Sequence, residues 1–200
     1  MRQFIAVLFL SLSALIPVIA HATPITYTLS TTASGELGGV SFTDALVTIA
    51  VFSDTADVTS GAGYIYNPGT GGANLSIAGF SPTTFSSSMD VFYLYGGSYY
   101  VGIEDELGPF LFAEVNNGFA GYGLTSALGP LTGATNQDFG TNIDTPTAAG
   151  NFFLTSDSGD TTFTATLDST ASPTPEPSTI CLFGTGALVM LGTARRRLKA

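Results

Sequence analysis

Between its two ends the sequence has no basic side chain. Fourteen acidic residues lie between Glu36 and Asp168, whereas every Lys and Arg lies near a terminus: Arg2, Arg195, Arg196, Arg197 and Lys199. A chain segment with this charge cannot neutralise phosphates, which excludes nucleic acid as a partner. It also has no attraction for an anionic membrane surface, and it cannot form a salt bridge within itself.

Histidine, cysteine and tryptophan are almost absent. The single histidine is His21, the single cysteine is Cys181, and there is no tryptophan. The part of the chain between these two residues therefore excludes Ser-His-Asp and Cys-His nucleophiles, imidazole or thiolate sites for zinc or copper, and an internal disulfide. Paired carboxylates, as in glycoside hydrolases, are the catalytic arrangement that remains. They would lack any cationic group to stabilise a transition state, so we predict that the protein is not an enzyme.

Residues 1–22 have the three parts of a secretory signal peptide. Arg2 precedes an apolar run from Phe4 to Ala20, and Ala20 and Ala22 form a small-x-small cleavage site. The alternative is an uncleaved membrane anchor, which Pro17 disfavours because proline interrupts a helix. We therefore expect export through the general secretion machinery. We predict no cofactor, with calcium as the one possibility left open.

Residues 172–200 have three parts in a fixed order. A Pro-rich spacer is followed by an apolar segment, residues 180–194, and then by Arg195, Arg196 and Arg197. A helix of this segment would be about 22 Å long, shorter than the hydrocarbon core of about 30 Å. The pattern predicts a short transmembrane helix that holds the protein in the membrane only in transit. The basic cluster would stay in the cytoplasm and the body on the far side of the inner membrane.

Pro175, Glu176 and Pro177, followed by the short apolar segment and the arginine cluster, resemble the PEP-CTERM protein-sorting signal. The resemblance implies an exported protein of a Gram-negative bacterium, recognised at these three residues by an exosortase, a membrane-embedded cysteine protease or transpeptidase. It also implies delivery to the cell surface or outside the cell, and family members are often linked to exopolysaccharide and biofilm. An ordinary single-pass tail anchor behind a linker is the alternative. The resemblance implies nothing about residues 23–171, because such proteins share the tail and differ elsewhere.

The body, residues 23–171, has the sequence pattern of an all-β domain. Apolar residues alternate with polar ones around Ile25–Leu29 and Phe163–Leu167, which predicts strands that are buried on one face. We expect these two strands to lie towards the outside of the fold. Three runs are apolar at consecutive positions, as in central strands buried on both faces: 45–52, 91–95 and 109–115. Further strands are predicted at 63–66, 73–78, 99–104, 119–124 and 151–155.

Glycine-rich turns separate these runs. Gly96-Gly97, between two aromatic runs, predicts a hairpin, whereas the weak periodicity of residues 129–150 predicts a long loop. Many short strands and tight turns favour a β-sandwich, with the jelly roll as one form of it.

Calcium is the metal that this composition could bind, because it takes carboxylate and carbonyl oxygens. The candidate ligands are Asp157 and Asp160 in one turn and Glu104, Asp105 and Glu106 in another, with Asp54 and Asp57 as a third pair. The alternative is that each group is a solvated hairpin tip, where Asp is favoured in any case.

Four tyrosines flank the Gly96-Gly97 turn: Tyr93, Tyr95, Tyr99 and Tyr100. They could form a platform on which sugar rings stack, or they could be aromatic pairs that stabilise a hairpin. The leading hypothesis is a structural or interaction protein, sorted by an exosortase and associated with an exopolysaccharide or biofilm matrix. The second is a carbohydrate-binding module of that matrix, and the third is a carboxylate-based glycoside hydrolase.

Overall fold

The computed structural model describes residues 23–105, 110–136, 144–157 and 159–168. The chain divides into two units, Met1–Ser169 and Thr170–Ala200, and all described residues belong to the first. The predicted signal peptide and the predicted transmembrane helix at 180–194 lie outside the described residues. Within the described ranges, no helix is both long enough and apolar enough to cross a membrane.

The described residues form thirteen strands and two short 3-10 helices, Thr55–Asp57 and Asn117–Phe119. The strands are β1 Pro24–Leu37, β2 Val40–Asp54, β3 Thr59–Gly61, β4 Tyr64–Pro68, β5 Ala73–Ile77, β6 Thr83–Thr84, β7 Met89–Leu94, β8 Tyr100–Asp105, β9 Phe110–Val115, β10 Leu128–Asn136, β11 Thr145–Thr147, β12 Gly150–Asp157 and β13 Thr161–Leu167. The prediction of an all-β protein is confirmed.

All thirteen strands belong to one curled antiparallel sheet in the order β3-β4-β7-β8-β9-β10-β13-β1-β2-β5-β6, with β12 beside β1 and β11 beside β12. Strand β10 joins two halves of this sheet. Its first part pairs with β13, and its last three residues, Ala134–Asn136, pair with β9. We refer to β3, β4, β7, β8 and β9 as half-sheet II and to the strands on the other side of β10 as half-sheet I.

One hydrophobic core lies on the inner face of the curl. Both halves contribute to it, with Tyr27 and Ile49 from half-sheet I and Val91, Ile103 and Phe112 from half-sheet II. Strand β1 alternates between half-buried and buried residues along its whole length, as its sequence predicts. Each strand therefore has an inner face towards the core and an outer face.

The predicted position of the two alternating segments is wrong. Strand β1 is paired with β2 along one side and with β13 and β12 along the other, and β13 lies between β1 and β10. Alternation shows that one face of a strand is covered, but it carries no information on the place of that strand in the sheet.

Two of the three runs predicted to be buried on both faces are confirmed in part. All five residues from Met89 to Tyr93 are buried, and so are the three residues 112–114. The prediction that residues 45–52 are buried on both faces is wrong, because burial alternates along β2 there and Leu46 is 54% exposed. Small residues such as Ala50 are tolerated on the outer face and made this strand appear apolar on both sides.

Two further predictions are wrong and one is confirmed. Residues 119–124, predicted as a strand, begin in a 3-10 helix and continue as turn and irregular structure, with Leu124 at a positive φ of 57°. Residues 129–150, predicted as a loop, contain most of β10 and the whole of β11. The hairpin at Gly96-Gly97 is confirmed, since Leu94 of β7 is paired with Tyr100 of β8.

A buried hydrogen-bond network connects the two halves of the sheet through the core. The hydroxyl of Tyr27 donates to the carbonyl of Leu124 and accepts from Nδ2 of Asn67 at 2.7 Å. The same nitrogen donates to the carbonyl of Asp54 at 3.1 Å, and Oδ1 of Asn67 accepts from Oγ of Ser53 at 2.6 Å. Both Tyr27 and Asn67 are fully buried, and burial raises the pKa of Tyr27 to about 12.

We expect Asn67→Ala to lower the free energy of unfolding by about 2 kcal/mol, because a buried group that loses its partner costs about 1–3 kcal/mol. The substitution leaves the Tyr27 hydroxyl without a donor and the Asp54 carbonyl without a partner. Urea unfolding checks this result. Asn74→Ala, at an exposed position in β5, is the matched control and should change the free energy of unfolding by only a few tenths of a kcal/mol. Equal midpoints for the two variants would contradict the role of the network.

Candidate functional site

The predicted sorting residues lie outside the part of the chain that the structure describes. This holds for Pro175, Glu176 and Pro177, for the signal cleavage residues Ala20 and Ala22, and for the cluster Arg195, Arg196 and Arg197. The body residues predicted as ligands are described, with the exception of Glu106.

The four tyrosines at the hairpin do not share one surface. Tyr93 is 3% exposed and belongs to the core, where its ring lies 5.5 Å from that of Tyr95 and 6.4 Å from that of Tyr99. Tyr95 also donates from its hydroxyl to the carbonyl of Gly61 at 3.1 Å. Tyr100 is paired with Leu94, so it lies on the face of half-sheet II opposite to Tyr93. The interpretation as hairpin-stabilising pairs fits the first three residues.

Tyr100 belongs to an aromatic surface on the outer face of half-sheet II. Its row across the strands is Tyr64, Leu94, Tyr100 and Val115, which are paired in turn across β4, β7, β8 and β9. Tyr64 is 44% exposed and Leu94 is 41% exposed. We call this row, together with Tyr66 and Phe92 of the next row, the outer aromatic face.

Phe92 lies flat against the outer face because residue 102 is a glycine. A Cβ at Gly102 would lie 2.4 Å from Cζ of Phe92 and 2.6 Å from Cβ of Ala113. Phe92 and Ala113 are buried and yet do not belong to the core cluster, which places them on the opposite side of the sheet. Tyr64 and Tyr66 stack at a centroid distance of 6.2 Å and an interplanar angle of 26°. The sequence shows Tyr64-Ile65-Tyr66, but only the strand pairing reveals the neighbours of these rings.

Glu104 and Asp105, the described part of the acidic run, lie on opposite faces of β8. Asp105 is buried, and its Oδ2 accepts from Oγ of Ser87 at 2.9 Å. Glu104 lies on the outer face directly opposite Asp90 of β7. Burial, and to a smaller extent the nearby Asp90 carboxylate, raise the pKa of Glu104.

The remaining carboxylates predicted as calcium ligands have structural partners or lie apart. Asp54 caps a 3-10 helix by accepting from the amide of Ala56 at 2.8 Å, and Asp57 accepts from Oγ1 of Thr70 at 3.1 Å. Asp157 ends β12 opposite Ala33, whereas Asp160 is exposed before β13. Over the described ranges, no group of three or more His, Cys, Asp or Glu side chains is placed to hold a metal ion.

Glu114 is the ionisable residue that the sequence analysis missed. It lies on β9 with no exposed surface, and its Oε1 accepts from Nδ2 of Asn116 at 3.1 Å. Its other oxygen, Oε2, is buried without a hydrogen bond. Thr135 of β10 is paired with Glu114, and Oγ1 of Thr135 lies 2.7 Å from Oγ1 of Thr161. A glutamate within the apolar run 109–115 was the available signal.

Burial raises the pKa of Glu114 to about 7. The hydrogen bond from Asn116 and the backbone amide of Phe163 oppose this shift, and the carboxylate of Asp160 adds to it. The body has no Lys or Arg that could compensate the charge of this group. A buried carboxyl without a cationic partner takes up a proton instead.

Comparison with known proteins supports one part of the chain. Residues 173–197 match the family model described as the PEP-CTERM protein-sorting motif, which confirms the resemblance seen in the sequence. The motif implies that the protein is exported, passes through the membrane and is processed by an exosortase. No curated protein and no solved structure matches the chain.

Proposed function

We propose that this chain, which carries the PEP-CTERM sorting motif, is a structural or interaction protein of the cell envelope or extracellular matrix. The match at residues 173–197 is the observation that carries the proposal. The general secretion machinery would export the chain, the C-terminal segment would hold it in the inner membrane, and an exosortase would then release it towards the cell surface.

Composition supports a role without catalysis for the body. Residues 23–171 contain no His, Cys, Lys, Arg or Trp, so acid–base and nucleophilic chemistry would depend on carboxylates alone. The curled sheet with a single core is consistent with a β-sandwich, the architecture that we propose for the mature body. A stable β domain with a net negative surface suits a component that stays soluble during secretion.

Mass spectrometry of the protein recovered from the medium and envelope of producing cells tests this proposal. The expected mature species begins at Thr23 and ends at or near Pro175–Pro177, with any transferred group visible as added mass. Full-length chains that still contain residues 180–194, recovered from cells with an active exosortase, would overturn it.

Carbohydrate binding is the second candidate function, and the outer aromatic face favours it. Tyr64 is exposed and Tyr66 and Tyr100 are half-buried, and a tyrosine provides apolar contact area and a polar hydroxyl in the same side chain. The hairpin tyrosines that first suggested this function contribute only Tyr100 to that face. A carboxylate-based glycoside hydrolase stays a prediction, with Asp90 and Glu104 as the facing pair on which it would depend.

A further inference from the structure

We propose that the outer aromatic face of half-sheet II is a binding surface for an uncharged polysaccharide. This inference rests on the carbohydrate-binding candidate named above. It moves the site from the hairpin to the sheet, and it specifies the charge of the ligand.

The first step is the shape of the surface. Tyr64, Leu94 and Tyr100 occupy directly paired positions on three neighbouring strands, and strands lie about 4.8 Å apart. Tyr66 and Phe92 are paired in the next row, where Gly102 lets the Phe92 ring lie along the sheet. Phe92 itself is 5% exposed, so the accessible part of the face is the row that contains Tyr64 and Leu94. That row runs across neighbouring strands, which suits an extended chain better than a small molecule.

The second step is the charge of the ligand. Residues 3–194 contain no Lys or Arg, so no side chain there could pair with a carboxylate or sulfate group of an acidic polysaccharide. Asp90 and Glu104 lie in the third row of the same face, and they would repel such groups. Sugar hydroxyls, in contrast, are donors that carboxylate oxygens accept well. The exposed row with Tyr64 and Leu94, together with the half-buried Glu104 as an acceptor, fits a neutral glycan.

The third step is to compare this ligand with a second copy of the chain. Packing the outer aromatic faces of two copies together would bring two bodies into contact that each contain fourteen acidic and no basic residues. Like charges across an interface oppose association. A neutral glycan covers the same apolar surface without this repulsion.

Affinity electrophoresis of the mature protein, purified from exporting cells, tests the proposal. Native gels would contain hydroxyethylcellulose, laminarin, galactomannan or dextran as neutral probes and alginate as the anionic probe. We expect at least one neutral polysaccharide to retard the protein and alginate to leave it unaffected. The double variant Tyr64→Ala/Tyr100→Ala should bind at least about fivefold more weakly, since each stacked ring contributes about two- to tenfold.

Three comparisons make the result specific. Tyr64→Phe keeps the ring and should keep most of the affinity, and Leu46→Ala removes an exposed apolar side chain from half-sheet I and should bind as the wild type does. Leu94→Gln replaces the double variant if thermal melting shows that the latter is unfolded.

No retardation by any neutral polysaccharide, equal retardation by alginate, or unchanged binding of the folded variants would overturn the proposal. A dimer in sedimentation velocity that Tyr64→Ala dissociates would also overturn it, because it assigns the face to a second copy. None of these results affects the sorting proposal, which the mass of the mature chain tests.

Discussion

Replacement of Pro175, Glu176 and Pro177 by alanine should abolish release of the protein from the membrane. Cells that produce an active exosortase are expected to accumulate a chain that has lost residues 1–22 and keeps residues 180–200. The reason is that the substitution removes the residues that we propose for recognition but leaves the apolar segment and the arginine cluster that we propose as the membrane anchor. Immunoblotting of membrane and medium fractions, with intact mass measurement, checks this result, and we expect nearly complete loss of the released form.

A matched control is available beside the motif. Thr170→Ala at the end of the body and Ser172→Ala at the start of the spacer lie outside the matched residues 173–197 and should leave release unchanged. Deletion of residues 175–200 removes both recognition and anchor, so that this chain should be exported without exosortase processing and end at residue 174. Release of the triple-alanine chain at the wild-type size would contradict recognition at these residues.

The alternating strands could be predicted from the sequence, but their partners could not. Ile25–Leu29 and Phe163–Leu167 alternate because one face of each strand is covered. The structure pairs these two segments with each other, although the paired residues are 134 to 142 positions apart in the sequence. Nothing local in either segment specifies that pairing. Tertiary packing determines it, because the inner faces of both strands contribute to one core.

Strand β10 was missed because its local sequence argues against a strand. Gly129, Pro130 and Gly133 are residues that strand interiors avoid. The register of β10 against β13 also shifts between Leu128 and Leu131, before its last residues pair with β9. The outer aromatic face was missed for a related reason. Tyr64 and Tyr100 are far apart in sequence, and they share a surface only because β7 lies between their strands.

The tail was predictable because its function depends on an order of residue types and not on a fold. Pro175–Pro177, an apolar segment and the arginine cluster follow one another in a fixed order, and the family model matches residues 173–197, which contain all three. For Glu114, in contrast, the sequence offers only its position within the apolar run 109–115. The strand that pairs with it, β10 at Thr135, could not be predicted.

The stability of the body should fall as the pH rises from about 4.5 to about 7, and Glu114 should be the main cause. In the folded protein the pKa of Glu114 is raised to about 7 from its ordinary value of 4.5. Between these values the folded state binds a proton that the unfolded state has released, so that ionisation favours unfolding. The stabilising contribution of the protonated Glu114 is complete below about pH 4.5 and is lost as the pH rises through about 7. The expected loss is on the order of 3 kcal/mol.

Glu114→Gln isolates this effect, because glutamine resembles the protonated carboxyl and does not ionise. We expect the variant to match the wild type near pH 4.5 and to be more stable by about 3 kcal/mol at pH 8. Urea unfolding at half-unit pH steps measures the difference. Salt at 0.5 M screens repulsion among the exposed carboxylates and leaves the buried group nearly unaffected, so the difference between the two proteins should persist there.

Glu104→Gln is the control that separates Glu114 from the general negative charge. Glu104 is only half-buried, and its pKa is raised by burial and by Asp90, so its substitution should change the slope in the same direction by a smaller amount. The body would also lose stability with rising pH through repulsion among its other carboxylates, but that part is present in both variants and is reduced by salt.

A Glu114→Gln protein that loses as much stability as the wild type between pH 4.5 and 8 would show that Glu114 stays ionised in the folded state.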